Sequence, residues 1–325
     1  MMLPGPVICI VGPTASGKSA LADELALRLG VSVLSVDAMQ VYRGMDIGTA
    51  KTPLQERRVP LEMVDVADVS QDYSVALFQR EARAVIDHAL SLGKAPILCG
   101  GTGLYLDAVV DEMDFPAGEV GDERRSRYED LAQSLGSQGL WDLLDSRDQA
   151  SARIIHPNNV RRVVRALELL DEGTSYAQQH EGLKTRSPHY VARIWGLSMP
   201  RERLYARIDR RVDLMFEQGL VNEVRLLCEH GLRACRTASQ AIGYKEVIEY
   251  LDGIRTLDEC RSLIKQRTRR YAKRQLSWLR RDGRARIIDL SVTGVDEACR
   301  LIIDDMRPVD VGPDASCGET PSLTE

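Results

Sequence analysis

Residues 12–19 carry the feature that most constrains how this chain can fold. They read Gly-Pro-Thr-Ala-Ser-Gly-Lys-Ser and match the phosphate-binding pattern G-x-x-x-x-G-K-[ST] at every position. An apolar, β-branched run over residues 7–11 precedes the motif, and residues 19–29 follow it with apolar side chains at helical spacing. The motif therefore lies between a strand and a helix, which is where a loop that binds diphosphate must lie.

Each part of this loop has a physical role in holding two linked phosphates. Backbone N–H groups and the positive end of the helix bind phosphate oxygens, Lys18 adds a positive charge, and the Ser19 hydroxyl is placed to ligate Mg²⁺. The residues predicted to bind diphosphate are Gly12, Pro13, Thr14, Ala15, Ser16, Gly17, Lys18 and Ser19. The motif does not identify the molecule that carries the diphosphate.

Composition limits the class of protein. With 325 residues, the chain can hold one large domain with an insertion, or two domains. No signal peptide is visible and no apolar run approaches about 18 residues, so we expect neither export nor a membrane helix. The seven cysteines are scattered without a C-x-x-C pair, which favours reduced thiols in the cytoplasm and argues against a zinc site.

The net charge of −5 argues against a nucleic-acid partner until the charge is followed along the chain. Residues 261–286 contain eleven Lys or Arg residues and one Asp, a net charge of +10, so the remainder carries −15. Within them, Tyr271 and Trp278 lie seven residues apart on a predicted helix. A long basic helix with aromatic side chains is typical of binding to a phosphate backbone. The alternative is that the aromatic rings pack inward and the charges are only solvated.

Two further predicted strands end in polar or glycine-rich residues. Residues 32–36 deliver Asp37 at their carboxyl end, and residues 95–99 are followed by a Gly-Gly-Thr-Gly turn that contains Thr102. Ligands bind beyond the carboxyl ends of parallel strands, so we expect both turns to face the same crevice as the phosphate loop. The alternative for Asp37 is a helix cap or turn, and for the glycine-rich residues a plain turn.

The strand pattern stops between about residues 115 and 188, where charged helices are predicted, and returns at residues 191–197. We interpret the stretch between as a helical insertion into the sheet. In it, Arg161, Arg162 and Arg165 fall at helical spacing, and a solvated basic face is the alternative interpretation of them. The other predictions are helices over 74–92, 201–218, 220–230, 238–251 and 261–281, a functional loop over 38–51, a closing strand over 286–290 and a disordered tail from about 308.

Six motifs, in their order along the chain, resemble those of the bacterial tRNA isopentenyltransferases, the tRNA dimethylallyltransferase family. The resemblance extends from residue 7 to about residue 281, and the motifs are specific jointly, whereas only the first is specific alone. The matching motifs are residues 12–19, 37–51, 100–105, 161–168, 240–245 and 273–280.

The resemblance implies transfer of a dimethylallyl group from dimethylallyl diphosphate to N6 of the adenosine that follows the anticodon in tRNA, with Mg²⁺ as cofactor. It implies an α/β fold, a P-loop NTPase-like parallel sheet flanked by helices, with a helical insertion domain and a helical C-terminal part. We expect the first part of the core in residues 1–114, a tRNA-binding insertion in 115–190, the second part of the core in 191–307 and a disordered tail in 308–325. The expected partners are the tRNA anticodon stem-loop and dimethylallyl diphosphate, for a cytoplasmic monomer that binds no membrane.

The family pattern also implies a role for each matched residue. Asp37 would act as the base near adenine N6, and Thr102 would touch the adenine. Lys18 and Arg211, or Arg207 in place of Arg211, would stabilise the leaving diphosphate together with Mg²⁺. The residues implied to contact tRNA are Asp37, Ala38, Met39, Gln40, Thr102, Arg124, Arg161, Arg162, Arg165, Gln240, Gly243, Tyr244, Lys245, Lys273, Arg274, Gln275, Trp278 and Arg280.

The sequence departs from the family pattern at two places. Ala38 stands where members usually carry Ser after the catalytic Asp, and Leu61-Glu62 stands where they usually carry two histidines. These departures bear on the positioning of the substrate and leave the reaction class unchanged.

Three other functions fit part of the sequence. A P-loop small-molecule kinase or NTPase, which binds ATP, explains the phosphate loop and Asp37 but leaves the basic helix unused. An adenylate isopentenyltransferase shares the chemistry without binding an anticodon. A non-enzymatic RNA-binding protein is opposed by the intact Gly17, Lys18, Ser19 and Asp37.

Overall fold

The computed structural model describes residues 6–94, 96–115, 123–182 and 187–306. Within these residues, a six-stranded sheet forms the centre, and all of its neighbouring strands are parallel. In the spatial order β3-β2-β4-β1-β5-β6, the strands are β1 (Val7–Val11), β2 (Val33–Val36), β3 (Leu61–Glu62), β4 (Ile97–Gly100), β5 (Ala192–Ser198) and β6 (Arg286–Asp289).

Helices cover both faces of the sheet and form the segment between β4 and β5, which confirms the predicted α/β class. They are α1 (Lys18–Leu29), α2 (Val75–Ser91), α3 (Gly103–Val110), α4 (Glu123–Arg147), α5 (Gln149–Ile154), α6 (Val160–Asp171), α7 (Tyr176–Gly182), α8 (Arg201–Glu217), α9 (Leu220–Glu229), α10 (Tyr244–Leu251), α11 (Leu257–Arg281), α12 (Leu290–Thr293) and α13 (Val295–Met306). In the part of the chain that the structure describes, no helix combines the length and the apolar composition of a membrane span.

Alternate residues of β1 are buried on opposite faces of the sheet. Ile8 belongs to one apolar cluster with Leu25 of α1 and Ile302 of α13. Val7 belongs to the other, with Phe78 of α2 and further residues of α3, α9, α10 and α11. A strand that is buried on both faces needs apolar side chains at every position, which is why residues 7–11 read as an unbroken apolar run.

The helices α4 to α7 pack around an apolar core of their own. Its buried members include Tyr128, Leu144, Val163 and Leu167. Asp111, directly after α3, and Pro188, shortly before β5, are joined by an antiparallel bridge. Helices α4 to α7 therefore share an apolar core of their own and lie between β4 and β5 in the chain. The domain bounds predicted from the sequence stay a prediction.

The structure differs from the predicted elements at two places, and one predicted segment lies outside the described residues. Residues 61–62 form β3, which the sequence did not predict because two half-buried residues carry no measurable alternation. The helix predicted over 238–251 is broken into a 3₁₀ turn, Ala238–Gln240, and α10, because Gly243 has a φ of 99° that an α-helix does not allow. The predicted tail, residues 308–325, lies outside the described residues.

Candidate active site

A cavity of about 430 Å³ opens at the carboxyl ends of the parallel strands. Its wall is formed by the phosphate loop, the residues after β2, the turn after β4, and parts of α8, α10 and α11. Lys18, Ser19, Asp37, Thr102 and Arg211 all line it. The structure thus brings together at one site the residues that the sequence placed at three separate strand ends and on one later helix.

The phosphate loop presents a cluster of hydrogen-bond donors. Gly17 has a φ of 100°, which glycine adopts without a steric penalty, and this turn lets α1 begin at Lys18. The hydroxyl of Ser16 is buried and has no hydrogen-bond partner among the described residues. Together with the first N–H groups of α1, it forms an arrangement suited to phosphate oxygens.

Lys18 and Arg211 bring two half-buried positive charges to the cavity. Burial lowers the pKa of Lys18 below its ordinary value, and the charge of Arg211 adds to this effect. Burial also lowers the pKa of Arg211, against the attraction of Asp37. Because both cations have lost much of their hydration, a bound anion would stabilise them strongly.

The helix α8 places two arginines against the phosphate loop. Arg211 donates from Nη1 to Oγ1 of Thr14 at 3.2 Å. Arg207, one turn earlier, donates from Nε to the carbonyl oxygen of Ala15 at 2.7 Å. Both arginines lie on the same face of α8, as their four-residue spacing indicates. They differ in their surroundings, because Arg211 lines the cavity and Arg207 is exposed.

Asp37 lines the cavity and also forms a turn. Its Oδ1 accepts a hydrogen bond from the N–H of Met39 at 2.9 Å. The N–H of Ala38 donates to Oγ1 of Thr102 at 3.2 Å, which ties the end of β2 to the turn after β4. That approach needs glycine at position 100, because a Cβ there would lie 2.0 Å from the carbonyl oxygen of Val36. Both interpretations of Asp37 from the sequence, a turn former and a residue of the crevice, therefore hold.

Two residues of α11 have positions that the sequence did not reveal. Gln275 is 6% exposed, accepts a hydrogen bond from the N–H of Thr14 and donates to the carbonyl oxygen of Gly101. Tyr271 lines the cavity beside Asp37, and burial, with the negative charge of that residue, raises its pKa to about 12. An amphipathic pattern indicates which face of a helix is buried but cannot identify its partners, so no signal in the sequence identified these contacts.

The aromatic residues of α11 pack inward, as one of the two alternatives proposed. Trp278 donates from Nε1 to Oδ2 of Asp107 at 3.0 Å, and its ring lies against Gly103 of α3. The amide of Gln275 is bonded inside the protein, and the residue also lines the cavity. The expectation that Gln275 and Trp278 contact tRNA stays a prediction. Trp278 is half-buried and contacts α3.

The basic residues of α11 divide into two sets. Some form ion pairs with acidic residues of neighbouring helices: Lys265 with Asp213, Arg267 with the buried Glu246, and Arg269 with Asp209. The exposed ones are Arg270, Lys273, Arg274, Arg280 and Arg281. Pairing thus removes part of the +10 charge counted in the sequence, and the second set forms the exposed basic surface of this helix.

The remaining predicted tRNA contacts are dispersed. Arg124, Arg161 and Arg162 are exposed on the inserted helices, and Arg165 approaches the buried Glu168 at 3.4 Å. None of these four is among the residues that line the cavity. Other predicted tRNA contacts do line the cavity, among them Ala38, Met39, Gln40, Gln240, Tyr244 and Arg274. Gly243, Lys245, Lys273 and Arg280 do not line it.

The residues of the cavity suit a Mg²⁺ ion that is coordinated mainly by the oxygens of a bound diphosphate and by water. Among the described residues, no group of three or more His, Cys, Asp or Glu side chains could hold a metal ion by itself. The Ser19 side chain lines the cavity beside Lys18. Mg²⁺ commonly takes one or two protein oxygens and completes its shell with phosphate oxygens and water, so a single hydroxyl next to a phosphate loop fits this ion.

Comparison with known proteins gives concordant matches. Residues 40–282 match the family profile described as IPP transferase, and residues 5–61 match that described as isopentenyl transferase. A tRNA dimethylallyltransferase of Carboxydothermus hydrogenoformans is 44% identical over 91% of this chain and 96% of its own.

Solved structures give the same result. A full-length tRNA isopentenylpyrophosphate transferase of Bacillus halodurans is 42% identical, with a TM-score of 0.67 over 93% of this chain and 97% of its own. A eukaryotic dimethylallyltransferase described as acting on tRNA is 30% identical, with a TM-score of 0.75 over 94% of this chain and 81% of its own.

Proposed function

Because the chain belongs to the IPP transferase family, whose curated relatives are named tRNA dimethylallyltransferase, we propose that it attaches a dimethylallyl group to an adenosine of tRNA. It is a transferase. One observation supports the assignment of its parts: two half-buried cations, Lys18 and Arg211, line the same cavity as the carboxylate of Asp37. The cavity therefore has cations that can bind an anion and a carboxylate, that of Asp37, that can act as a base.

The proposed donor is dimethylallyl diphosphate, and the proposed acceptor is N6 of the adenosine that follows the anticodon. The new bond joins N6 to the allylic carbon, the carbon–oxygen bond to diphosphate breaks, and the N6 proton is taken by Asp37. The exocyclic amine is a poor nucleophile, so a base beside it should accelerate the reaction. Thr102, fixed by the N–H of Ala38, is proposed to contact the adenine.

The leaving diphosphate is proposed to be stabilised by the phosphate loop, Lys18 and Arg211. These groups are already desolvated and held in place, so they need little reorganisation when negative charge develops on the leaving oxygen. Mg²⁺ held by Ser19 would neutralise part of the charge of the diphosphate. Arg207 is exposed and bonds the loop backbone, and we propose that it supports the loop.

Access of the adenosine to the cavity requires it to leave the stack of the anticodon loop. This costs a few kcal/mol, and least in a loop that is already single-stranded. We propose that the exposed basic residues of α11 and the inserted helices, with Arg161 and Arg162, bind the phosphates of the stem-loop. On this proposal residues 115–190 form the tRNA-binding domain, and the protein acts as a monomer in the cytoplasm.

The deciding experiment is nucleoside mass analysis of tRNA after reaction with the purified protein and dimethylallyl diphosphate. The expected product is an adenosine heavier by one dimethylallyl group, located by nuclease mapping next to the anticodon. Asp37→Asn should bind tRNA as the wild type does and lose at least about 100-fold in rate, because it keeps the shape and removes the base. A wild-type rate of transfer in Asp37→Asn would show that Asp37 is not the base.

The rival functions predict other products from the same protein. AMP in place of tRNA as acceptor should give no product, whereas efficient prenylation of AMP would indicate an adenylate isopentenyltransferase. Incubation with γ-labelled ATP and small-molecule acceptors should transfer no phosphate. Phosphate transfer at ordinary enzymatic rates would instead establish a kinase.

A further inference from the structure

The loop that follows β2, residues 37–53, forms one wall of the cavity. Gly48 and Thr49 line the cavity, and so does Ala50. The far end of the loop is fixed by Lys51, whose side chain is 2% exposed and pairs with Asp46 at 2.6 Å. The sequence predicts neither helix nor strand here, and the loop is instead held by side chains from distant parts of the chain.

Glu223 of α9 binds this loop through three successive backbone N–H groups. Its Oε2 accepts from the N–H of Asp46 at 3.2 Å and from that of Ile47 at 2.7 Å. Its Oε1 accepts from the N–H of Gly48 at 3.2 Å. Successive N–H groups that converge on one carboxylate form an anion-binding nest, so this side chain helps to hold the conformation of residues 46–48.

Tyr244 of α10 completes the arrangement. Its hydroxyl donates to Oε1 of Glu223 at 2.6 Å. Its buried ring packs against Gly48, where a Cβ would lie 2.4 Å from the ring. Burial, together with the charge of Glu223, raises the pKa of Tyr244 well above its ordinary value, so the hydroxyl remains a donor.

The loop in turn orients Gln40. The Nε2 group of Gln40 donates to the carbonyl oxygen of Thr49 at 3.2 Å, and its Oε1 accepts from Oγ of Ser35 at 2.7 Å. Gln40 lies three residues after Asp37 and lines the same cavity. A chain of hydrogen bonds therefore leads from Glu223 through the loop to a side-chain amide beside the proposed base.

We propose that Glu223, with Tyr244, is a positioning residue that fixes the loop and Gln40 so that the cavity accepts the tRNA nucleoside beside Asp37. This inference rests on the proposed function, because it concerns the RNA side of that site. Glu223 does not line the cavity, so it acts through the loop. The phosphate loop is held by other contacts, those of Gln275 and α8, so the diphosphate side does not depend on it.

The test compares Glu223→Gln and Tyr244→Phe with the matched control Glu229→Gln, an exposed residue of the same helix. Glu223→Gln keeps the shape and replaces one accepting oxygen by a donor. Tyr244→Phe keeps the ring against Gly48 and removes one hydrogen bond. We expect the KM for tRNA to rise about tenfold in each variant, as for one lost hydrogen bond to a charged group. The KM for dimethylallyl diphosphate should stay within about twofold, because α9 and α10 do not hold the phosphate loop.

Direct binding of an anticodon stem-loop is measured beside the kinetics, by fluorescence anisotropy. Both variants should bind more weakly while Glu229→Gln binds as the wild type does. Because Glu223 and Tyr244 share one hydrogen bond, the double variant should lose less than the product of the single effects.

The outcomes separate the inference from the proposed function. Stem-loop binding and tRNA KM equal to those of the wild type in Tyr244→Phe and Glu223→Gln would overturn the inference and leave the proposed function in place. Equal rises in the KM of both substrates would also overturn it, because a general loss of structure has that effect. A wild-type protein that binds the stem-loop but transfers no dimethylallyl group would overturn the proposed function, while the binding comparison would still decide the inference.

Discussion

The side-chain oxygen of Gln275 accepts a hydrogen bond from the backbone N–H of Thr14 at 2.9 Å, across 261 positions of the sequence. The other end of the same amide donates to the carbonyl oxygen of Gly101 at 3.0 Å. One buried side chain of α11 therefore joins the phosphate loop to the turn after β4. The helix whose outer side carries exposed positive charge also sets, on its inner side, the spacing between the two ends of the proposed active site.

Gln275→Leu should weaken both the fold and the binding of the donor. Leucine fills a similar volume but leaves the N–H of Thr14 and the carbonyl of Gly101 without this partner, at a cost of about 1–3 kcal/mol. The free energy of unfolding, from urea titration, should fall by that amount, and the KM for dimethylallyl diphosphate should rise several-fold. Ser277→Ala, an exposed change on the same helix, is the control. A stable Gln275→Leu protein with an unchanged KM would contradict the bridging role.

The sequence predicted the parts of this site whose chemistry is local. The phosphate loop needs a strand, a glycine-rich turn and a helix in immediate succession, and all three are visible between residues 7 and 29. Asp37 and Thr102 follow apolar runs, so the rule that parallel strands end at one edge was enough to bring them together. The charge asymmetry around α11 was equally visible.

The remaining parts depend on contacts between distant residues, which a pattern of single residues does not contain. Glu223 looks like any exposed acid of an amphipathic helix, yet it accepts three N–H groups of a loop about 175 positions earlier. Arg267 was counted among the eleven Lys and Arg residues of 261–286, whereas the buried Glu246 pairs with it. Sequence composition gives the number of charges, and only the packing of helices determines which of them are neutralised.

Binding of the donor should weaken at alkaline pH, and should begin to do so below the ordinary pKa of lysine. Burial lowers the pKa of Lys18, and only its protonated form attracts diphosphate. As pH rises through the lowered pKa, the free protein loses this charge and the affinity falls. Calorimetric titration of inorganic diphosphate from about pH 7 to about pH 10.4, the ordinary lysine value, measures the effect.

Replacement of the lysine by arginine provides the control for this pH dependence. Lys18→Arg keeps the positive charge, and arginine holds its proton over the whole range. The affinity of this variant for diphosphate should therefore not fall as pH rises, even if it is weaker than that of the wild type at pH 7. Parallel alkaline losses in the wild type and in Lys18→Arg would assign the pH dependence to another group.

The exposed basic residues of α11 should contribute to the salt dependence of RNA binding, and the paired ones should not. Arg270→Ala combined with Lys273→Ala removes two exposed charges. Each phosphate contact contributes roughly 0.7–0.9 to the slope of log K against log salt, so the slope should become shallower by about 1.5. The KM for dimethylallyl diphosphate should not change.

A matched pair of charges on the same helix tests this assignment. Lys265→Ala combined with Arg269→Ala also removes two positive charges, but these residues pair with Asp213 and Asp209. Stem-loop binding titrated over a range of salt concentrations should give this variant a slope close to that of the wild type. If both double variants flatten the slope equally, net charge and not the exposed surface determines binding.

Arg284 should stabilise the junction at which the inserted helices leave the sheet. Its side chain donates two hydrogen bonds to Asp111, at 2.6 and 3.0 Å, and two to Asp282, at 3.0 and 2.9 Å. Burial opposes its charge, but the hydrogen bonds to Asp282 and Asp111 outweigh that effect and raise the pKa of Arg284. Both carboxylates are almost fully buried, so loss of the guanidinium would leave two negative charges close together in the interior.

Arg284→Met should therefore lower the free energy of unfolding at pH 7 by about 2–4 kcal/mol, toward the smaller value because a third of the arginine side chain is exposed. Arg300→Met, at an exposed pair with Glu297, should change stability by less than about 0.5 kcal/mol. Urea titrations of the three proteins at pH 7 measure this, and a loss of stability in Arg284→Met no larger than that in Arg300→Met would contradict the stabilising role of Arg284.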